Sequence, residues 1–314
     1  LFLNIMPRLM LEHLTHHPDE LPWTLQVIGE LGVDPKKVVI ELTEEAVGSE
    51  TASLRQLIDV YRDYGCAIAV DDVGAEASNL DRIGYFEPDI IKIDALMLRR
   101  SLRERSFRQV LKGLGAMAEG LGASLLFEGV ETEEDVEQAL AFGARYLQGW
   151  YFSKAAADFL PETSFTGGLT SVLRRFGHRL VEGTENRKQR LRKITEDLGH
   201  PPSPVLVGDG VWGYDIEVLN SWGHPACRVF LTDRSGFQVS PNYETTPRGW
   251  KINPLALGRC RASRPYFPGN GDNRWSVSEA YYDVNDRNLI RTYSRPTGPN
   301  LLLFVDVLEI ENQG

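Results

Sequence analysis

The sequence predicts an α/β chain in two folded parts: a TIM-type (β/α)8 barrel lacking its first units, then an α+β module built on an antiparallel sheet. Three observations lead there. Up to about residue 159, short apolar segments alternate with amphipathic helical ones. Each apolar segment closes on a polar residue. From residue 201 the chain is richer in Pro, Gly and aromatics, and its apolar runs become hairpin-like. These changes divide the chain into a barrel segment over 1–163, a helical linker over 164–200 and a second module over 201–314.

The expected strands of the first segment are Leu1–Asn4, Val38–Leu42, Ala67–Asp71, Ile90–Ile93, Leu125–Glu128 and Tyr146–Tyr151. All are nearly continuously apolar, as parallel strands covered on both faces must be. Between them, Thr51–Tyr64 places Leu54, Leu57, Ile58 and Tyr61 on one helical face and stops at Gly65. Thr132–Phe142 opens on a capping threonine with an acidic first turn and ends at Gly143. Asn4, Glu41, Asp71, Asp94, Glu128 and Gln148 each fall at or just past the end of a different strand. A doubly wound sheet converges side chains only near its switch point, whereas a barrel brings every strand end to one rim. The barrel is therefore preferred. Six strands stand where a barrel needs eight units, so the barrel is expected to be incomplete at its N-terminal side. In the linker, Leu173, Phe176, Leu180, Leu191 and Leu198 recur among many charges. That pattern describes a solvated helix, or one that packs on its twin in a homodimer. In the second module, Cys227–Thr232 and Phe237–Ser240 flank the turn sequence Asp233–Gly236, and Tyr281–Asp283, Leu289–Tyr293 and Leu301–Val307 add further strands.

The bulk numbers bound the function. The 314 residues carry a net charge of −10, from 44 acidic against 34 basic side chains. This balance opposes a nucleic-acid polymer or an acidic membrane as partner. No stretch reaches the ~20 apolar residues of a membrane span. The three cysteines, Cys66, Cys227 and Cys260, share no ligand spacing and fit free thiols in a reducing cytoplasm. His16 and His17 read as a solvated helix end.

The acidic strand ends carry the chemistry. Glu41, Asp71, Asp72 and Glu128 would crowd one barrel mouth, with Glu44 and Glu131 one shell away. Carboxylates that close take up protons or bind cations. Oxygen ligands, with the Asn4 amide among them, select Mg²⁺ or Mn²⁺. A pair of such ions about 3.5–4 Å apart suits phosphodiester cleavage. Lys92 is placed to orient a water or to stabilise phosphoryl charge. Plainer alternatives stand beside these roles. Lys92 and Asp94 would form a structural ion pair, Glu44 and Glu131 would pair with backbone or arginine, and Gln148 would cap a strand. A two-carboxylate glycosidase fits the same fold but does not need four acids and an asparagine.

These residues resemble the EAL family of cyclic di-GMP phosphodiesterases. VVIELTE over Val38–Glu44 is similar to its "lEiTE" strand, and DDVG from Asp71, followed by Ser78–Leu80, to its "DDFG…SSL" loop. DIIKID ending at Asp94, EGVET from Glu128, QGWYFS from Gln148 and Leu3-Asn4 match further family motifs in order. The resemblance covers residues 1 to about 160. It implies hydrolysis of cyclic di-GMP to linear pGpG. Asn4, Glu41 and Asp71 would hold a first metal and Asp71, Asp72 and Glu128 a second. Lys92 would activate the water, and Glu128 would act as ligand or general base. Glu44 would brace the loop after Asp72, while Asp94, Glu131 and Gln148 would support the site. The departures are Met6 for serine, Val73 for phenylalanine, the Ala75–Ala77 run and Ala155 for proline. The glutamate that names the family is expected on a strand ahead of Leu1. The second module resembles the PAS/Cache-like domain of YkuI-type EAL proteins, through Asp233–Gly236, Arg264–Phe267, Ser278–Asp283 and Arg291–Ser294. Arg264, Tyr266, Tyr281, Asp283 and Arg291 are expected either to line a small-ligand pocket or to serve as core and surface pairs. Three readings follow: a metal-dependent phosphodiesterase regulated by its sensor domain, a cyclic di-GMP receptor without turnover, and a truncated product with no nucleotide function.

Overall fold

A computed structural model describes residues 1–17, 20–42, 51–73, 80–161, 163–222, 225–267, 274–298 and 300–309. The chain divides into two compact units, Leu1–Leu180 and Val181–Gly314. The first holds a six-stranded sheet of β1 (Phe2–Ile5), β2 (Val39–Leu42), β3 (Ala67–Val73), β4 (Ile90–Ile93), β5 (Ser124–Phe127) and β6 (Ala144–Leu147). The strands lie side by side in chain order, every neighbouring pair parallel. An order without reversal has no switch point, so polar groups meet along the strand ends instead. Every residue of β4 is buried, while β1 and β6 at the two edges are largely open.

Side-chain alternation divides the sheet into two faces. Ile40, Leu42, Ile68, Val70, Ile91, Ile93, Leu125 and Phe127 point into the main core. There they meet Leu54, Leu57, Ile58 and Tyr61 of α3 (Thr51–Tyr64), the stripe expected from the 3.6-residue period. The interleaved Val39, Ala69, Ile90 and Leu126 form a small separate apolar cluster on the other face. Two residues further along each strand, that face carries Glu41, Asp71, Lys92 and Glu128. The two-residue period thus stacks a charged layer on an apolar one. The remaining helices of this unit are α1 (Pro7–His16), α2 (Trp23–Glu30), α4 (Leu80–Phe86), α5 (Ala95–Arg103), α6 (Arg105–Leu121) and α7 (Glu133–Ala141). Helix α8 (Thr166–Leu198) occupies the segment expected to be helical between 164 and 200. No helix among the described residues is long and apolar enough to cross a membrane.

The second unit contains a hairpin of β7 (Val205–Gly208) and β8 (Val211–Gly213), helix α9 (Ile216–Trp222), and a seven-stranded antiparallel sheet. That sheet comprises β9 (Ala226–Asp233), β10 (Asn242–Thr246), β11 (Gly249–Asn253), β12 (Ser276–Val277), β13 (Tyr281–Tyr282), β14 (Leu289–Pro296) and β15 (Leu301–Leu308). Its order is β11-β10-β9-β15-β14-β12, with β13 also on β14. One face packs Val229, Leu231, Tyr293, Leu303 and Val305 against Leu191, Ile194 and Leu198 of α8. The other carries Phe230, Leu302, Phe304 and Tyr266. The hairpin expected between Cys227–Thr232 and Phe237–Ser240 forms differently. Asp233–Gly236 does turn, but Phe237–Ser240 makes only isolated bridges, and the next strand along the chain to pair with β9 is β10. The Ser240 hydroxyl takes the Leu231 N–H that a ladder would use, and Pro241 has no N–H to donate.

Candidate metal centre

Lys92 lies at the middle of the charged layer and is 3% exposed. Its Nζ is 2.9 Å from Glu41 Oε1, 3.0 Å from Asp71 Oδ1 and 2.8 Å from Glu128 Oε1. These carboxylates come from three different strand ends, β2, β3 and β5, which the parallel register brings level. Burial alone would pull the lysine's pKa down, but hydrogen bonds to Glu128, Glu41 and Asp71 outweigh it and hold the ammonium well above its ordinary value. The acids feel the opposite pressure. Burial raises Glu128, Lys92 relieves part of that, and Asp71 and Glu41 push it up again. Asp72 is raised by burial, then by the charges of Asp71 and Asp94, against Lys92 and Arg82.

Carboxylate oxygens of Asp71, Asp72 and Glu128 all lie within 4.8 Å of one another. Three hard anionic oxygens at that spacing, still short of positive charge beside a lysine, fit an oxygen-preferring divalent ion. The backbone supports this crowding. The β3–β4 register shifts between Val70 and Val73, and Asp72 takes φ 55°, so the two aspartates sit on a bulge that aims both toward the rim. Past Glu128, Gly129 (φ 57°) has room for no side chain, since a Cβ would stand 2.5 Å from Ala95 Cβ. A Cβ on Gly149 would stand 2.2 Å from Val130 O. Without it, Val130 N–H donates to Gln148 O and Tyr151 N–H to Val130 O, knitting the ends of β5 and β6 together.

The other expected site residues are placed as follows. Asn4 is exposed on edge strand β1, opposite Glu41 in register. Asp94 accepts from Leu96 N–H and caps α5. Glu131 pairs with Arg99 at 2.7 Å, while its N–H donates to Asp135, a member of the capping box that starts α7. Gln148 is exposed, and its backbone is what engages Val130. Glu44 lies outside the described residues. Sequence reasoning missed Arg82, 2% exposed, whose Nη2 donates to Leu42 O at 2.7 Å. A lone arginine three residues into a short helix gives no signal of that partner.

In the second unit, Tyr266 and Tyr281 stack with ring centroids 5.4 Å apart. Tyr281 and Thr292 hydroxyls are 2.6 Å apart, and Thr292 Oγ1 donates to Asp306 Oδ1 at 2.6 Å. Arg228 donates to Asp306 Oδ2 at 2.6 Å and also to Asp283. Arg228, Thr292 and Asp306 complete a buried network of which the sequence singled out only Tyr281 and Asp283. Arg291 alternates to the opposite face, where it meets Glu309 at 2.9 Å and Ser278 O at 2.8 Å. Arg264 is exposed.

Comparison with known proteins agrees with this geometry. The EAL domain family model matches residues 2–155, and that of the EAL-domain associated signalling protein domain matches residues 214–309. The EAL-domain containing protein YkuI of Bacillus subtilis is 27% identical over 285 residues, 88% of this chain and 70% of that protein. Its crystal structure, in complex with substrate c-di-GMP and calcium, is similar with a TM-score of 0.80 at 26% identity, covering 98% of this chain and 78% of that one. The cyclic di-GMP phosphodiesterase RocR of Pseudomonas aeruginosa is 32% identical over 139 residues, 44% of this chain and 34% of RocR. The chain thus carries an EAL domain over residues 2–155 and, behind it, the EAL-domain associated signalling protein domain over residues 214–309.

Proposed function

We propose that the EAL unit hydrolyses cyclic di-GMP to linear pGpG and that the signalling domain regulates it. The observation that carries this reading is the layer of Glu41, Asp71, Asp72 and Glu128 around one sealed lysine. Under this reading the chain-order sheet is most of a (β/α)8 barrel. The antiparallel module is a PAS/Cache-like sensor, with its small-ligand site on the Tyr266–Tyr281 face. Asn4, Glu41, Asp71, Asp72 and Glu128 would hold two Mg²⁺ or Mn²⁺ ions, which supply the positive charge that a phosphodiester and an attacking water require. Lys92 directs its N–H bonds at the anionic oxygens of the site and orients the water. Glu128, its carboxyl pushed above the ordinary range chiefly by burial, takes the water's proton as the new P–O bond forms and the bond to the 3′ oxygen breaks. The proton then leaves with the 3′ hydroxyl.

A receptor without turnover has one observation on its side. Lys92 already engages Glu41, Asp71 and Glu128, three of the five metal-ligand candidates. Incubating the 314-residue chain with cyclic di-GMP and Mn²⁺ or Mg²⁺, and separating products by chromatography, decides between the two. Appearance of pGpG supports hydrolysis. Tight nucleotide binding with no product over hours supports the receptor.

A further inference from the structure

We propose that the second unit binds a small doubly charged oxyanion, a phosphate or a dicarboxylate, between Arg187 and Arg190 of α8 and Arg291 of β14. The place lies on the sheet face opposite Tyr266 and Tyr281, and the inference does not depend on the hydrolysis proposed above. Residues 187–193 carry five cations, Arg187, Lys188, Arg190, Arg192 and Lys193, in a chain whose net charge is −10. Such a patch attracts anions against the field of the rest of the molecule. Helical spacing sorts it. Arg187 and Arg190 share the side of α8 that sends Leu191, Ile194 and Leu198 onto the sheet. There they meet the charge cluster around Arg291, which is 6% exposed.

Two carboxylates face these three guanidinium groups, and they are held very differently. Glu309 is firm. It accepts from Arg291 Nε at 2.9 Å, lies 3.4 Å from Arg190 Nη1, and is mostly buried. Glu279 is loose. Its Oε2 lies 3.8 Å from both Arg187 Nη1 and Arg291 Nη1, too far for a hydrogen bond, and its side chain is 85% exposed. An exposed pair of that kind contributes little. That oxygen therefore stands loosely where a free oxyanion would accept from both arginines. Arg291 Nη1 donates to Ser278 O at 2.8 Å, while its Nη2 has no partner among the described residues. Two residues along the same face of β14, Tyr293 is fully buried, and its hydroxyl also lacks a partner among them. What this corner lacks is acceptors. Three arginines against Glu309 leave two positive charges once Glu279 swings out, the charge that a dianion neutralises. An anion held there pins α8 to β14.

The test is calorimetry on the metal-stripped full chain at fixed ionic strength and pH 8, with inorganic phosphate and succinate as separate titrants. At least one of them should bind wild type with a Kd of about 1 mM or tighter, and which one does so separates the two sources of the dianion. Arg187→Gln alters a half-exposed side chain whose one ion pair among the described residues is the loose one to Glu279. It should bind about tenfold more weakly. Glu279→Gln should bind about threefold to fivefold more tightly, because the carboxylate it removes competes for the same two arginines. Arg192→Gln removes one charge from the same helix outside the cluster and should stay within about twofold of wild type. Wild type that binds neither anion overturns the proposal. Equal losses in Arg187→Gln and Arg192→Gln would mean diffuse attraction to a basic helix and overturn it too, as would a Glu279→Gln variant no tighter than wild type.

Discussion

Lys92 is the residue whose removal the site tolerates least, because its ammonium is the shared ion-pair partner of Glu41, Asp71 and Glu128. Lys92→Met leaves those acids facing one another in a buried layer, a change that typically destabilises by ~3–5 kcal/mol. Chemical denaturation in EDTA should show that loss at neutral pH. It should shrink as pH falls, because Glu128, its carboxyl pushed up by burial, can then take up a proton. The lysine's own contribution has the opposite range. Its folded pKa is raised, so its stabilisation is full below the ordinary lysine value and lost as pH rises through the folded one. Glu128→Gln tests chemistry more than stability. It should lower turnover of cyclic di-GMP by about 10²–10⁴-fold while nucleotide affinity, measured by calorimetry, stays within about threefold. Equal losses in both would place Glu128 in binding alone. At this scale, what the sequence revealed depended on strand ends. Glu41, Asp71 and Glu128 each close a different apolar strand, so their meeting at one rim is readable without coordinates. Arg82, Arg228 and Asp306 meet partners 40 to 78 residues away, and no local pattern encodes such meetings.

Elements position these residues through contacts that only backbone can make. Gly149 is the sharpest case, since its Cα approaches Val130 where β5 and β6 leave the sheet, just beyond Glu128. Gly149→Ala should destabilise by about 3 kcal/mol or more, because the clash is with backbone that cannot swing away. Gly143→Ala is the control. Gly143 has φ 89° and nothing within 4 Å of an added Cβ, so conformational strain of about 1–2 kcal/mol is its whole expected penalty. Urea denaturation of the two variants should separate them, and equal losses would count against the close-approach argument. Legibility among the elements followed burial. The six parallel strands and α3 were readable, within a few residues at their ends, from continuous apolar runs and a clean helical stripe. Strands β10 and β11, with Asn242–Thr246 and Gly249–Asn253 mostly polar and half open, were not. Nor was the break at Ser240, where a side chain replaces a ladder bond.

In the whole molecule, each unit has a core of its own. The first is built on the parallel sheet, and the second lies on both faces of the antiparallel one. Units with separate cores are expected to unfold as separate cooperative transitions. The two should then answer to different perturbations. Mn²⁺ at a hundredfold excess over its Kd stabilises the unit that binds it by about 2.7 kcal/mol. For a unit of this size that is a rise of roughly 5–10 °C. The second unit instead responds through Asp283. Burial pushes its carboxyl up, but the Arg228 guanidinium and the Asn285 and Asp286 N–H groups outweigh that and hold it below the ordinary range. A depressed carboxylate stabilises fully above its unfolded pKa and loses that contribution as pH falls through the folded value. Asp283→Asn removes this dependence, so below about pH 4 the transition of the second unit should vary less with pH than in wild type. Scanning calorimetry of the wild type and Asp283→Asn, each with and without Mn²⁺ across pH, reads both effects at once. Mn²⁺ should move one transition and Asp283→Asn the other. A single transition that both of them shift would mean that the two cores melt as one.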